Sequence, residues 1–256
     1  DDVAPPGGSG RDVYIHGRTI SAAGEFTAVT PYRILDTRDG TGGFTKPLGP
    51  KSTYDVAVTG VGGVPASGVS AVVMNATATN GTAPTFVTVW PAGVRRPDNS
   101  NLNLLPGQTN PNLVTVAVGA GGKVSTYNEN GSTDVIFDIV GFYSTIDGPR
   151  GSRFVPVDPF RLLDTRSDVG DVGRGALGAD RTMVTNIFTH HLIPRDATGI
   201  VLNVTATETT AAGFVSVYPA DVARPVVSNL NFGPGRTVPN LVTVRVPTDG
   251  RIAFYN

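Results

Sequence analysis

Apolar residues in this chain come in short runs with a period close to two. The runs starting at Val69, Thr85, Asn112 and Lys123 (Val-Ser-Ala-Val-Val-Met-Asn-Ala-Thr, Thr-Phe-Val-Thr-Val-Trp, Asn-Leu-Val-Thr-Val-Ala-Val and Lys-Val-Ser-Thr-Tyr) are rich in β-branched and aromatic residues. Gly, Pro or Asn bounds each of them, which is how strands announce themselves. No window carries apolar residues at helical spacing with caps over three turns. Glycine and proline, 32 and 20 of the 256 residues, supply the tight turns that many short strands require. The pattern predicts an all-β chain of β-sandwich type.

The pattern also repeats. Phe26 to Arg38 (Phe-Thr-Ala-Val-Thr-Pro-Tyr-Arg-Ile-Leu-Asp-Thr-Arg) matches Phe154 to Arg166 (Phe-Val-Pro-Val-Asp-Pro-Phe-Arg-Leu-Leu-Asp-Thr-Arg), 128 positions on. Asn75-Ala-Thr matches Asn203-Val-Thr, Trp90-Pro-Ala matches Tyr218-Pro-Ala, Ser100-Asn-Leu-Asn matches Ser228-Asn-Leu-Asn, and Tyr127-Asn128 matches Tyr255-Asn256, all at the same 128-residue offset. One offset held from Phe26 to Asn256 is the mark of a duplicated domain. The reading is two tandem homologous sandwich domains, residues 26–143 and 154–256, joined by a linker at 144–153 and preceded by a tail at 1–25.

The two copies end differently. After Asn128 the first continues into Asp134-Val-Ile-Phe-Asp-Ile-Val-Gly-Phe-Tyr143, a strand that looks like the domain's last. The second reaches Asn256 where that strand should begin. At the front of the chain, Asp12-Val13-Tyr14-Ile15 has the Asp-Val-x-apolar start of Asp134-Val135-Ile136-Phe137. Residues 12–21 are therefore expected to complete the second copy, with Val13, Ile15 and Ile20 as apolar pegs. This strand would be donated in trans, from chain to chain, or in cis within one chain; the third alternative is that the sequence is cut from a longer chain in which the missing strand follows Asn256. Trans donation that does not close gives filaments.

Composition narrows the chemistry. With 16% charged residues and a net charge of −1, no field draws the chain to nucleic acid or an anionic membrane. The chain has no cysteine, so neither a disulfide framework nor a thiolate site is possible. No apolar run reaches the length of a membrane span. The Asp1-Asp2 to Gly10 start, without Met or a basic-apolar leader, reads as the tail of a mature, exported protein.

Three polar groups recur. Arg33-x-x-Asp36-x-Arg38 and its counterpart Arg161-x-x-Asp164-x-Arg166 place a carboxylate between two guanidinium forks, a set suited to locking a loop or binding a ligand. Asn75, Asn101, Asn103 and Asn112, with Asn203, Asn229, Asn231 and Asn240, are expected to close turns. A glycan site is the functional alternative: Trp90 and Tyr218 would stack on sugar rings beside Asn101, Asn103, Asn229 and Asn231. Asp36, Asp39 and Gly40, or Asp164, Asp168 and Asp171, lack calcium-loop spacing, and His190-His191 lacks a zinc partner placed by motif. No cofactor is expected, and the absence of a nucleophile motif, phosphate loop or dinucleotide fingerprint points away from an enzyme.

The Leu-Asp-Thr-Arg stretch, Asn-Val-Thr-Ala-Thr, Tyr-Pro-Ala and Ser-Asn-Leu-Asn resemble a domain repeated in secreted surface proteins of actinobacteria and related bacteria. The resemblance covers nearly all of residues 26–256 and implies an accessory or array module that ends on an Asp-x-x-Gly-Tyr-Phe-like strand. The resemblance implies no well-defined catalytic residues to carry over. The expectation is an extracellular or cell-surface structural or adhesive subunit whose main partner is itself, head to tail. The competing reading is a tandem carbohydrate-binding module whose partners are extracellular glycans.

Overall fold

The computed structural model describes residues 21–256 apart from residues 168, 171 and 174. The runs starting at Val69, Thr85, Asn112 and Lys123 and the segment from Asp134 are all strands. The first half holds β1 (Phe26–Asp36), β2 (Ser52–Ala57), β3 (Val69–Thr79), β4 (Thr85–Pro91), β5 (Leu102–Leu104), β6 (Asn110–Ala117), β7 (Lys123–Asn128) and β8 (Asp134–Ser144). They pair antiparallel into two sheets, β1-β8-β3-β6 and β2-β7-β4-β5.

The sheets face each other across one core, a sandwich arrangement. Leu35 of β1, Met74 and Ala76 of β3, Val114 of β6, and Phe137 and Ile139 of β8 meet Val56, Val87, Leu104 and Val124 from the other sheet. In β6 the period-two pattern is visible in the burial: Val114 and Val116 point inward, Thr115 and Ala117 outward. β8 does not alternate, because both of its faces are covered. The last strand in sequence is thus a central one in space.

The Leu-Asp-Thr-Arg loop leaves β1 through a turn that only glycine can make. Gly42 has φ +81°, and a Cβ there would stand 2.5 Å from the Ile34 carbonyl oxygen. Gly170 repeats the conformation at φ +92° beside the Leu162 carbonyl. In both places the turn closes an isolated bridge, Asp36 with Thr41 and Asp164 with Val169.

The second half holds β9 (Thr182–Asn186), β10 (Gly199–Ala206), β11 (Gly213–Pro219), β12 (Leu230–Phe232), β13 (Val238–Arg245) and β14 (Arg251–Tyr255). The sheet β9-β14-β11-β12 has the strand order of β2-β7-β4-β5. The facing sheet is smaller. It contains β10 and β13, the counterparts of β3 and β6, and no other described strand. The segment 154–163, matching β1 in sequence, forms no ladder. Its Phe154, Val155 and Val157 are exposed, while Phe160, Leu162 and Leu163 lie against the core.

The deficit reaches the packing. Val72, Met74 and Ala76 of β3 are fully buried, whereas Ile200, Leu202 and Val204 at the same places in β10 are only half-buried. Phe137 and Ile139, which complete the first core, have no described counterpart in the second.

Phe137→Ala should cost about 3–5 kcal/mol in chemical denaturation, because it empties a fully buried site in the first core. Leu202→Ala should cost less, about 1–2 kcal/mol, since that side chain is already partly exposed to water.

Candidate functional site

The recurrent Arg-Asp-Arg set is a structural lock in the first half. Arg33 spans two carboxylates. Its Nε and Nη2 donate to the two oxygens of Asp138 at 2.9 and 3.3 Å, and its Nη1 donates to Asp36 at 3.0 Å. Arg38 closes on Asp36 from the other side, with Nε and Nη2 at 2.9 and 2.7 Å and its backbone N–H at 3.1 Å. Further along the same strand, β8, Asp134 accepts a hydrogen bond from the Thr37 hydroxyl at 2.7 Å. β8 thus supplies both carboxylates that the loop after β1 needs.

The two shared carboxylates are pushed in opposite directions. Burial opposes the ionisation of Asp36, but the Arg38 hydrogen bonds and the two guanidinium charges outweigh it and hold the pKa below its ordinary value. Asp138 is raised, because burial there outweighs the Arg33 bonds and charge and the Ser228 N–H. Asp164 is lowered by hydrogen bonds from the Arg166 side chain and backbone, with Arg161 adding its charge.

In the second half the lock is incomplete. Arg166 grips Asp164 as Arg38 grips Asp36, and Arg161 reaches Asp164 at 3.2 Å. No described residue stands where Asp138 does. The Arg161 side chain is accordingly 64% exposed, against 16% for Arg33. At the place of β8, no described strand lies between segment 154–163 and β10. The edge of β10 away from β13 pairs with no described strand, and Ile200, Leu202 and Val204 on β10 are only half-buried.

The same polar row joins the halves. Arg33, Asp138 and Asn75 are cross-strand neighbours on β1, β8 and β3. Asn75 Nδ2 donates to the Ser228 carbonyl at 2.7 Å, and Asn240 Nδ2 donates to Asn75 Oδ1 at 3.0 Å. The Ser228 N–H donates to the Asp138 carboxylate. The backbone of one residue of the second half, Ser228, is therefore gripped at both its N–H and its C=O by the first. Asn75 is buried under this contact, and Asn203, its counterpart on β10, is exposed.

The other sequence-selected residues fall into two groups. Asn101 and Asn229 act as turn closers, their Oδ1 atoms accepting the Val89 and Val217 N–H groups at 2.7 Å. Asn103 and Asn231 bond Ser100 and Ser228. Trp90 and Tyr218 are each 6% exposed, and Trp90 donates its indole N–H to Val94, so these rings do not offer a face for stacking a sugar. His190 stacks between Phe160 and His191. Among the described residues no group of three or more His, Asp or Glu side chains is placed to hold a metal. The assembly strand (Asp12, Val13, Tyr14, Ile15 and Ile20) and the loop acids Asp168 and Asp171 lie outside the described residues.

Sequence reasoning missed Asp138 and the role of Asn75. Both had a signal: Asp138 is the lone charge inside an apolar run, and Asn75-x-Thr77-x-Thr79 lines up polar residues on one face of a strand. No family model matches the chain, and no curated protein matches its sequence.

Arg33→Met strands Asp138 in a buried site and should cost about 3–5 kcal/mol at pH 7 by urea denaturation. The raised pKa of Asp138 means that the stability carried by its protonation is full below its unfolded pKa and fades as pH rises through the folded one. The cost of Arg33→Met should therefore shrink as pH falls from 7 towards about 4. Asp36 is the opposite case: its contribution is present above the unfolded pKa and lost as pH falls through the lowered folded value.

Proposed function

We propose that the chain is an extracellular structural or adhesive subunit. In this reading two tandem copies of one sandwich domain assemble head to tail, and residues 12–21 of one chain fill the place beside β10 of another. The observation that carries the proposal is the β10 edge that no described strand pairs, with apolar side chains half-buried along it and Arg161 holding Asp164 but, among the described residues, no second carboxylate. An incoming strand would pair its backbone with β10, cover the core with alternate side chains and end the exposure of a sheet edge.

Donation between chains is favoured over closure within one chain by the contact between the halves. A closed two-copy ring would make that contact twice. Here it is made once, at Asn75 and Ser228, while Asn203 is left exposed. Such one-sided contacts propagate. The location outside the cell rests on the likeness of the Leu-Asp-Thr-Arg motif to secreted surface domains.

Removing residues 1–21 tests the strand. The truncated chain should lose its oligomers in sedimentation velocity and its fibres in electron microscopy, and a synthetic peptide of residues 10–22 should raise its Tm by about 5 °C or more. A truncated chain as stable as the intact one, in the same assembly state, overturns the proposal. An intact chain that sediments as a monomer but is destabilised by the truncation would show closure in cis instead.

A further inference from the structure

The contact between the halves has two sides, and each recurs unused on the other half. The gripped side is the Ser228 loop. Its counterpart, the Ser100 loop, has the same internal scaffold. Asn112 Nδ2 donates to the Asn101 carbonyl at 3.0 Å as Asn240 Nδ2 donates to that of Asn229 at 2.7 Å. Ser100 bonds Asn103 as Ser228 bonds Asn231. Yet Ser100 and Asn112 are exposed, and Asn240 is buried.

The gripping side is the outer face of β3 and β6. Its counterpart on β10 and β13 carries Asn203 opposite Leu241, as β3 and β6 carry Asn75 opposite Leu113. This face is bare: Val201 is 43% and Leu241 48% exposed, whereas Val73, the counterpart of Val201, is 3% exposed. Apolar side chains flanking a central amide are what the first half covers with the second.

We propose that a second copy of this chain docks here. The Ser100 loop of one chain seats on the β10 and β13 face of the next, remaking between chains the joint that Asn75, Ser228 and Asn240 make within one. Asn203 Nδ2 donates to the Ser100 carbonyl, Asn112 Nδ2 donates to Asn203 Oδ1, and Val201 and Leu241 are covered. The occupant is a second copy because both sides of a contact already made within this chain recur, exposed and without a partner among the described residues. The proposal rests on the head-to-tail reading and adds to it a surface distinct from residues 12–21. Every bead is then related to the next by one operation, whether the link is covalent or not.

The test uses full-length chains carrying Asn112→Arg or Asn203→Arg, both at exposed positions. Each variant alone should lose assembly by about 100-fold or more in concentration, read by sedimentation velocity, with the circular dichroism of a folded β protein retained. Mixed in equal amounts, the two should form a dimer and stop there, because one intact loop meets one intact face. Variants that assemble like the wild type, or a mixture that stays monomeric, overturn the joint. If truncation of residues 1–21 abolishes assembly while both arginine variants are inert, the strand reading stands and the joint falls. If truncation is inert and the arginine variants are disruptive, the reverse holds. A wild-type chain that stays monomeric at every concentration counts against both.

Discussion

A sheet cannot leave a central place vacant without exposing two edges and the core beneath them. Backbone N–H and C=O groups at such an edge must find partners, and apolar side chains facing it lose their cover. In the first half, β8 meets this requirement from the middle of its sheet, pairing with β1 and β3 at once. Phe137 and Ile139 fill the core, and Asp134 and Asp138 anchor the Leu-Asp-Thr-Arg loop. Fold, lock and contact with the second half all run through that strand. The second half has the loop, the turn and the facing sheet, and the consequences of lacking a described β8 equivalent are visible at each point where β8 acts.

The comparison between the halves works as an internal control. Arg33 and Arg161 occupy equivalent places, and so do Asp36 and Asp164, so the local motif is constant while its surroundings change. Arg38 and Arg166 hold their aspartates with nearly the same geometry. The motif therefore forms by itself within a few residues of sequence. What the central strand adds is long-range: a second carboxylate for the arginine, and burial that turns a surface ion pair into an interior one.

Much of this was legible in the residues, and the limits have physical causes. Alternation marks strands because side chains point to opposite faces in turn, so β3, β4, β6, β7 and β8 could be read directly. Strand order could not, since pairing depends on partners far away; nothing local in Asp134 to Ser144 says that it lies between β1 and β3. The Asn75–Ser228 contact spans 153 residues and was invisible for the same reason. Trp90 shows a different limit. An aromatic residue near a strand end can face in or out, and the Val94 carbonyl that receives its N–H is supplied by the turn.

The entry and exit of the first half lie side by side. Phe26 and Ser152 exchange backbone hydrogen bonds, Gly24 donates to Ser144, and the buried Glu25 binds Arg150 at 2.9 Å and accepts the Gly151 N–H. Tension applied to the two ends of this unit would run across that clasp and bypass the hydrophobic interior. A stretched string of such units would thus load short polar clips first, with each folded body hanging beside the line of force. Toughness would then reside in a handful of hydrogen bonds at the clasp, and the sandwich would be spared until the clasp opens.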